Sequence, residues 1–469
     1  MNKIFREEAF FSPTPPPRII GTEMEYTVDY ETLCNYSSLL YNGKTLHHDF
    51  LPNGARLYVD GENLEYCSAE SLGPLDAAAA DHAGMPIVKD IYSSTTSREK
   101  YGKEHVSGNQ RFIPLRRSGG FCGVFVEEDG SVSSGYDSMG YHENLLTVLS
   151  PEFEQYRVFE KLMYSFLTTR HIWEGAGMVL EDGTLELSQK LFHTHNKELM
   201  RTHTDREKLG HLKKATLVEI RTADVHMLPF ASFMGLGVTS LVLRLVEQGV
   251  IGPHNIKNWA IKGYPINEAT RLSTMSYDDF DAEITLENGE QISVATYQRR
   301  LAELAVELTK EIALPKDEVK AANEWLKIML SIEASGLEDP YLLGRVEHVT
   351  KHALMEHIAR RKGKELEAMQ RVAVDLSFTT VDQKLARGAL KLFGDEAVRR
   401  DSAVILERAD RYVTHAPKTR ARARGGLIKT HGRDVKDAGW NFVKVGPKLI
   451  KLKDPYDPNP RTVWSRSER

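Results

Sequence analysis

Apolar and polar residues alternate along three short stretches, and this period of two predicts strands. Arg18-Ile19-Ile20 opens the first, which continues as Gly21-Thr22-Glu23-Met24-Glu25-Tyr26. The turn signal Asn53-Gly54 precedes the second, Arg56-Leu57-Tyr58-Val59-Asp60, with Leu64-Glu65-Tyr66 soon after, so this region reads as antiparallel sheet. The third runs from Leu217 through Glu219 and Arg221 to Asp224. Between them, the stretch from Ser107 to Tyr136 is β-like and punctuated by glycine, with a hairpin expected at Glu128-Asp129-Gly130. Helical stripes occupy much of the rest. An alanine-rich helix is expected from Asp76 toward Ile91, broken or kinked near Gly84 and Pro86. Others are expected over Glu152 to Thr168, Pro229 to Glu247, Tyr297 to Ile312, Glu318 to Ile332 and Arg345 to Met369.

These patterns predict an α+β protein of more than one part. Residues 1–17, with the prolines Pro13 to Pro17, read as an extended leader, and 18–375 as the main domain. Composition changes after Asp375, so 376–453 reads as a small C-terminal domain and 454–469 as a flexible tail. In that small domain Arg420, Arg422, Arg424 and Lys429 sit among glycines and read as a solvated loop. The 61 basic and 66 acidic side chains leave a net charge of -5, with no global basic field for nucleic acid. Cys34, Cys67 and Cys122 form no CxxC pair and fit a reducing, cytoplasmic setting as core fillers. No run is apolar enough to predict a membrane span. His193, His195, His203 and His211 lack strict ligand spacing and read as loop residues.

The candidate chemistry lies in the strands. Alternation puts Glu23 and Glu25 on one face, and Tyr58 and Asp60 likewise on one face. One Glu-x-Glu alone is simply the wet side of a hairpin. A second acidic strand with its own downstream Glu65 changes that, because carboxylates aimed at a common side repel unless a cation sits between them. Mg2+ prefers such oxygen ligands and bridges them to phosphates. Glu219-x-Arg221 adds a cation beside a carboxylate, a pairing suited to a transferring phosphoryl group.

Glu219-Ile220-Arg221-Thr222-Ala223-Asp224 followed by Pro229-Phe230-Ala231 resembles the late strand-to-helix signature of the glutamine synthetase superfamily. Ile20 to Tyr26, Asn53 to Asp60, Leu64-Glu65-Tyr66, His142-Glu143-Asn144, Gly175-Ala176-Gly177, Leu187-Ser188-Gln189, Thr419 to Gly425 and Ala438-Gly439-Trp440 are similar to signatures of the Pup ligase and Pup deamidase family, in the family's order. The resemblance implies a glutamine-synthetase-like curved antiparallel sheet, a cradle for ATP and Mg2+ backed by helices. It implies phosphorylation of the C-terminal glutamate side chain of a small Pup-like modifier, then isopeptide bond formation with the lysine of a protein substrate. By matching position, Glu23, Glu25, Glu65, Glu219 and His142 become Mg2+ ligands, and Asp60 the catalytic carboxylate. Arg221 would stabilise the phosphoryl charge. Tyr58, Arg420, Arg424 and Trp440 become cofactor contacts. No nucleic acid or membrane partner is implied.

Two departures stand out. Leu217 and Glu219 occupy the places of the family's Arg-x-His strand, and the gap between Glu25 and Asn53 leaves no room for the long deamidase insertion. The missing insertion favours the ligase over an amidase on the same scaffold, although Gly-Thr-Glu-x-Glu-Tyr, Pro74 and Asp76-Ala77 look deamidase-like. A carboxylate–amine ligase with another substrate and a non-catalytic binding protein are the remaining alternatives.

Overall fold

In chain order the first strands are β1 (Ile19–Tyr26), β2 (Arg56–Asp60), β3 (Asn63–Cys67) and β4 (Ser71–Leu72). They are followed by β5 (Arg111–Phe112), β6 (Gly120–Val126), β7 (Val132–Asp137), β8 (Tyr141–Thr147), β9 (Met178–Val179) and β10 (Leu185–Glu186). Next come β11 (Met200–His203), β12 (Thr216–Ile220), β13 (Glu283–Thr285) and β14 (Gln291–Ser293). The C-terminal strands are β15 (Val435–Gly439), β16 (Phe442–Val445), β17 (Lys448–Lys451) and β18 (Trp464–Arg466). The computed structural model describes residues 13–26, 49–61, 63–95, 111–112, 115–118, 120–126, 132–137, 139–149, 154–190, 199–203, 215–263, 268, 271–272, 275–459 and 464–466. Cys34, Glu128-Asp129-Gly130, His193, His195 and His211 lie outside the described residues.

The main sheet has the order β11-β12-β8-β1-β3-β2, with β4 also paired to β1. Every pairing in it is antiparallel. One face carries the polar alternates. The other presents Ile20, Met24, Tyr26, Leu57, Leu64 and Tyr66, all buried, to the helices. The fold is therefore α+β, with an antiparallel sheet backed by helices.

The first backing helix, Gly73–His82, begins before the expected Asp76 and has Pro74 in its first turn. Its alanines let it lie close against the sheet, and the Tyr66 hydroxyl donates to the Ala80 carbonyl at 3.2 Å. The chain then breaks at Ala83, and a second helix runs Gly84–Thr95. Gly84 is required here, because a Cβ would come within 2.6 Å of the Tyr66 ring and 2.9 Å of the Tyr26 hydroxyl. Helix Pro229–Glu247 matches its expected bounds. Contrary to the sequence reading, it is long and apolar enough to cross a membrane by length and composition, but every residue of it is buried in the core. Its Arg244 and Glu247 join Arg18 and Glu318 in buried ion pairs.

Two further expectations are corrected. The long helix expected over Arg345 to Met369 is two helices, Glu347–Lys362 and Ala368–Phe378. Gly363, in the left-handed conformation at φ 68°, ends the first, and a capping box of Glu367 and Gln370 starts the second. The glycine-rich segment expected as a solvated loop is a helix, Arg420–His431, capped by Thr419. Its Gly425 is there for close packing: a Cβ would stand 2.3 Å from the Pro52 carbonyl oxygen. Strands β15 to β18 form a separate sheet with its own small core of Val435, Val443, Ile450 and Leu452. The tail expected to be flexible supplies the last of these strands. Residue 375 falls inside helix Ala368–Phe378, and the main core extends through Ile405, Tyr412 and Ala421.

Candidate active site

Strand register builds the site. Directly paired residues in an antiparallel ladder share a face. Glu25 pairs with Glu65, which pairs with Tyr58. Glu23 pairs with Cys67 on one side and His142 on the other. Asn144 pairs with both Gly21 and Glu219, and Glu219 pairs with Arg201. One continuous polar face thus runs across the sheet from Asp60 to Arg201. Glu143, the alternate residue of β8, points the opposite way and is neutralised behind the sheet by Arg170 at 3.0 Å.

Two acidic groups form on this face. Glu25, Asp60 and Glu65 offer ligand atoms within 4.8 Å of one another, as do Glu23, Glu65 and Cys67. The Tyr58 hydroxyl donates to Glu65 Oε2 at 2.7 Å, and Arg56 stacks over the Tyr58 ring at 4.0 Å. The Gly140 amide donates to Glu25 at 2.6 Å. Burial pushes the Glu65 carboxyl up; hydrogen bonds from Tyr58 and Cys67 oppose this, the charges of Glu23 and Glu25 add to it, and it stands at about 7. Carboxylates crowded to this degree favour a hard cation between them. Burial, with the neighbouring charges of Glu23 and Glu65, pushes the Cys67 thiol well above its usual range; its soft sulfur suits a hard cation less than the carboxylate oxygens beside it.

At the other end, His142 Nδ1 lies 3.0 Å from Glu23 and 3.6 Å from Glu219. His203 Nε2 is hydrogen-bonded to the other oxygen of Glu219. Arg221, just past the end of β12, has its Nε 3.5 Å from Glu219. Burial pushes the Glu219 carboxyl up, but His203, His142 and Arg221 together outweigh it and hold it low. The face therefore has an electronegative end at Glu25, Asp60 and Glu65 and a cation-flanked end at Glu219.

A cavity of about 330 Å³ opens over this face. Gly21, Glu23, Cys67, Asn144, His203 and Glu219 form its floor; Arg420, Trp440 and Phe442 from the C-terminal segment form its wall. Arg420 Nε donates to Glu70 at 2.7 Å. Arg424 and Tyr58, expected as cofactor contacts, do not line the cavity. The Arg424 guanidinium donates to the Gly54 carbonyl at 2.6 and 3.1 Å, to the Trp440 carbonyl at 2.7 Å and to both Glu70 oxygens. An arginine has five N–H donors, and these contacts engage them all. Arg424 also stacks on the Trp440 and Phe50 rings, at 4.8 and 4.9 Å. It is a fastener between the C-terminal helix and the β2 turn.

Strand pairing brings Glu23, Glu25, Tyr58, Asp60, Glu65, His142 and Glu219 onto one face, with Arg221 beside Glu219. Arg420 and Trp440 stand over its Glu23–Glu219 end; Glu25, Tyr58, Asp60, Glu65, His142 and Arg221 do not line the cavity. Sequence reasoning gave no site role to three contributors. His203, read as a loop residue, lies on β11; Arg201-x-His203 thus sits beside β12, where Leu217 and Glu219 had replaced the Arg-x-His pair. The alternation of Arg201, Thr202 and His203 was the available signal, but a strand of this length is weak evidence. Glu70 gave no signal, because its partners lie some 350 residues away. Asp224 organises the motifs at Gly175 to Gly177 and Leu187 to Gln189. It accepts from the Ala176 amide at 2.8 Å, the Gln189 amide at 2.9 Å and the Ser188 hydroxyl at 2.9 Å.

An antiparallel cradle with clustered carboxylates beneath a small capping segment defines a class, and comparison with known proteins gives the family. The model of the Pup-ligase protein family matches residues 21–444, and the chain belongs to that family. It is 28% identical over 432 residues to the Pup–protein ligase of Acidimicrobium ferrooxidans, covering 87% of this chain and 86% of the relative. Its fold is that of the ligase PafA in complex with the prokaryotic ubiquitin-like protein Pup, with a TM-score of 0.75 at 20% identity, covering 95% of this chain and 89% of the other. PafA in complex with ADP matches at a TM-score of 0.70 and 20% identity, covering 92% of each chain.

Proposed function

We propose that the chain is an ATP-dependent ligase that phosphorylates the C-terminal glutamate side chain of a small Pup-like modifier and joins it to a lysine amine by an isopeptide bond. The observation that carries this reading is the single polar face uniting Glu23, Glu25, Glu65, Asp60 and Glu219, with a cavity over its Glu23–Glu219 end and the Glu25–Asp60–Glu65 cluster beside it. The nucleotide occupies the cavity, with Trp440 as an aromatic wall and Arg420 near its anionic part. Glu23, Glu25, Glu65, Glu219 and His142 are the residues that would hold Mg2+, which neutralises phosphate charge when bound.

In the first half-reaction a carboxylate oxygen of the modifier attacks the γ-phosphorus of ATP and ADP leaves, giving an acyl phosphate. Arg221 steadies the negative charge at the phosphoryl oxygens. In the second, the lysine nitrogen attacks the acyl carbon, phosphate departs, and Asp60 takes the proton from the amine. Asp60 suits that work because it is exposed at the end of β2, next to Glu25 and Glu65 and open to an incoming side chain.

The test is Asp60→Asn. Ligation of a glutamate-ended modifier to a lysine substrate should fall by at least ~100-fold, in the range for a lost general base, with Mg-ATP binding retained. Ligation at the normal rate would remove Asp60 from the mechanism. A glutamine-ended modifier separates the ligase from an amidase: ammonia release without matching ADP formation would favour the amidase.

A further inference from the structure

A second and larger hollow, of about 1000 Å³, lies on another side of helix Arg420–His431. It runs between that helix, the C-terminal end of helix Glu396–Tyr412 and the connection between them. Arg411, Lys418, Arg422 and Lys429 line it, and all four are exposed. Among the described residues none of these four has a carboxylate partner at ion-pair distance. The acids in its wall are Glu407 and Asp76, and Asp76 is already neutralised by Arg408 at 2.6 Å. A chain with a net charge of -5 thus concentrates uncompensated positive charge in one groove.

Helix periodicity separates the two sides. Arg420, Arg424 and Ile428 are buried and face inward, whereas Arg422, Gly426 and Lys429 are exposed. A Cβ on Gly426 would meet nothing within 4 Å, so the groove is bare of side chain at its centre and open to a close approach by another backbone. Among the described residues its aromatic rings are Tyr412, which is buried, and His415, and one exposed imidazole is not the row of stacking platforms that single-stranded nucleic acid uses.

We infer that this groove is a docking site for an extended, acidic polypeptide segment, rich in aspartate and glutamate, distinct from the nucleotide cavity on the sheet. Charge complementarity names the occupant: a line of Arg and Lys with no carboxylate partner among the described residues, over a bare backbone, matches carboxylates borne on a chain. From Lys418 to Lys429 the track is roughly 16 Å long, about five residues of extended peptide.

The experiment uses the full chain and fluorescence anisotropy with a labelled Asp/Glu octapeptide, a Lys octapeptide and an oligothymidylate of equal length. The acidic peptide should bind, weaken as salt rises from about 0.1 to about 0.3 M, and lose at least about tenfold in affinity in the double variant Arg422→Glu/Lys429→Glu. The Lys peptide should not bind. Melting temperature with and without Mg-ATP should be the same in the variant as in the parent, which shows that folding and the nucleotide cavity are intact. Stronger binding of the oligothymidylate, unchanged affinity in the double variant, or no binding of the acidic peptide to the folded parent would each overturn the inference. Because nothing is turned over, the outcome is independent of the proposed ligase activity.

Discussion

Glu65 shows how one side chain reports on the whole site. Its carboxyl is raised to about 7 by burial and by the charges of Glu23 and Glu25. A proton and a divalent cation therefore compete for the same crowded oxygens. Mg-ATP affinity should rise with pH through about 7, weakening roughly tenfold for each unit below it. Thermal shifts with Mg-ATP at pH 6 and pH 8 measure this, and Glu65→Gln should both weaken binding and flatten the dependence. Without ligand the sign reverses: a raised carboxyl contributes stability below its ordinary value of 4.5, and that contribution is lost as pH rises through 7. Residue types and alternation were enough to put Glu23, Glu25, Asp60 and Glu65 on one face, where the strand register groups them. They held no hint of the Arg424 contacts, which are with carbonyls and Glu70.

At the scale of elements, helix Arg420–His431 departs most from expectation. Its glycines suggest a loop, and intrinsic propensity penalises each by about 1 kcal/mol. The cost is offset by the approach they permit. Gly425 lies over the Pro52 carbonyl, while Gly54, at φ 80°, faces the Ala421 carbonyl 2.7 Å from where a Cβ would be. Gly425→Val should push the helix off the β2 turn and destabilise the protein by about 2–4 kcal/mol, the range of severe overpacking. Urea unfolding checks the stability, and an accompanying loss of Mg-ATP binding would show that the helix holds the cavity wall. The amphipathic helices were legible because their stripes are long. The helix end at Gly363 was not, since charged residues continue on both sides of it.

At the scale of the molecule, Glu70 is where the sheet and the C-terminal segment meet. Burial pushes its carboxyl up, but Arg424 and Arg420 outweigh this and hold it at about 2. A depressed carboxyl contributes stability above its ordinary value of 4.5, and that contribution is lost as pH falls from there toward 2. Glu70→Gln should cost about 3 kcal/mol at pH 7 by leaving two buried arginines short of a counter-charge, with a difference from the parent that shrinks through this window. Chemical denaturation at pH 7 and pH 3 gives both values.

Alternation along the chain determined the strands, the acidic residue types and the face each would occupy, because strand geometry turns spacing directly into direction. The motif order likewise carried the family. Only the tertiary structure decided which strands lie side by side, and hence that Glu219 and His203 share a face with Glu23. It also decided that Arg424 is a fastener and that opposite sides of one helix serve a cavity and a basic groove. Those outcomes rest on contacts between residues hundreds of positions apart, and a local pattern holds no information about a partner that distant.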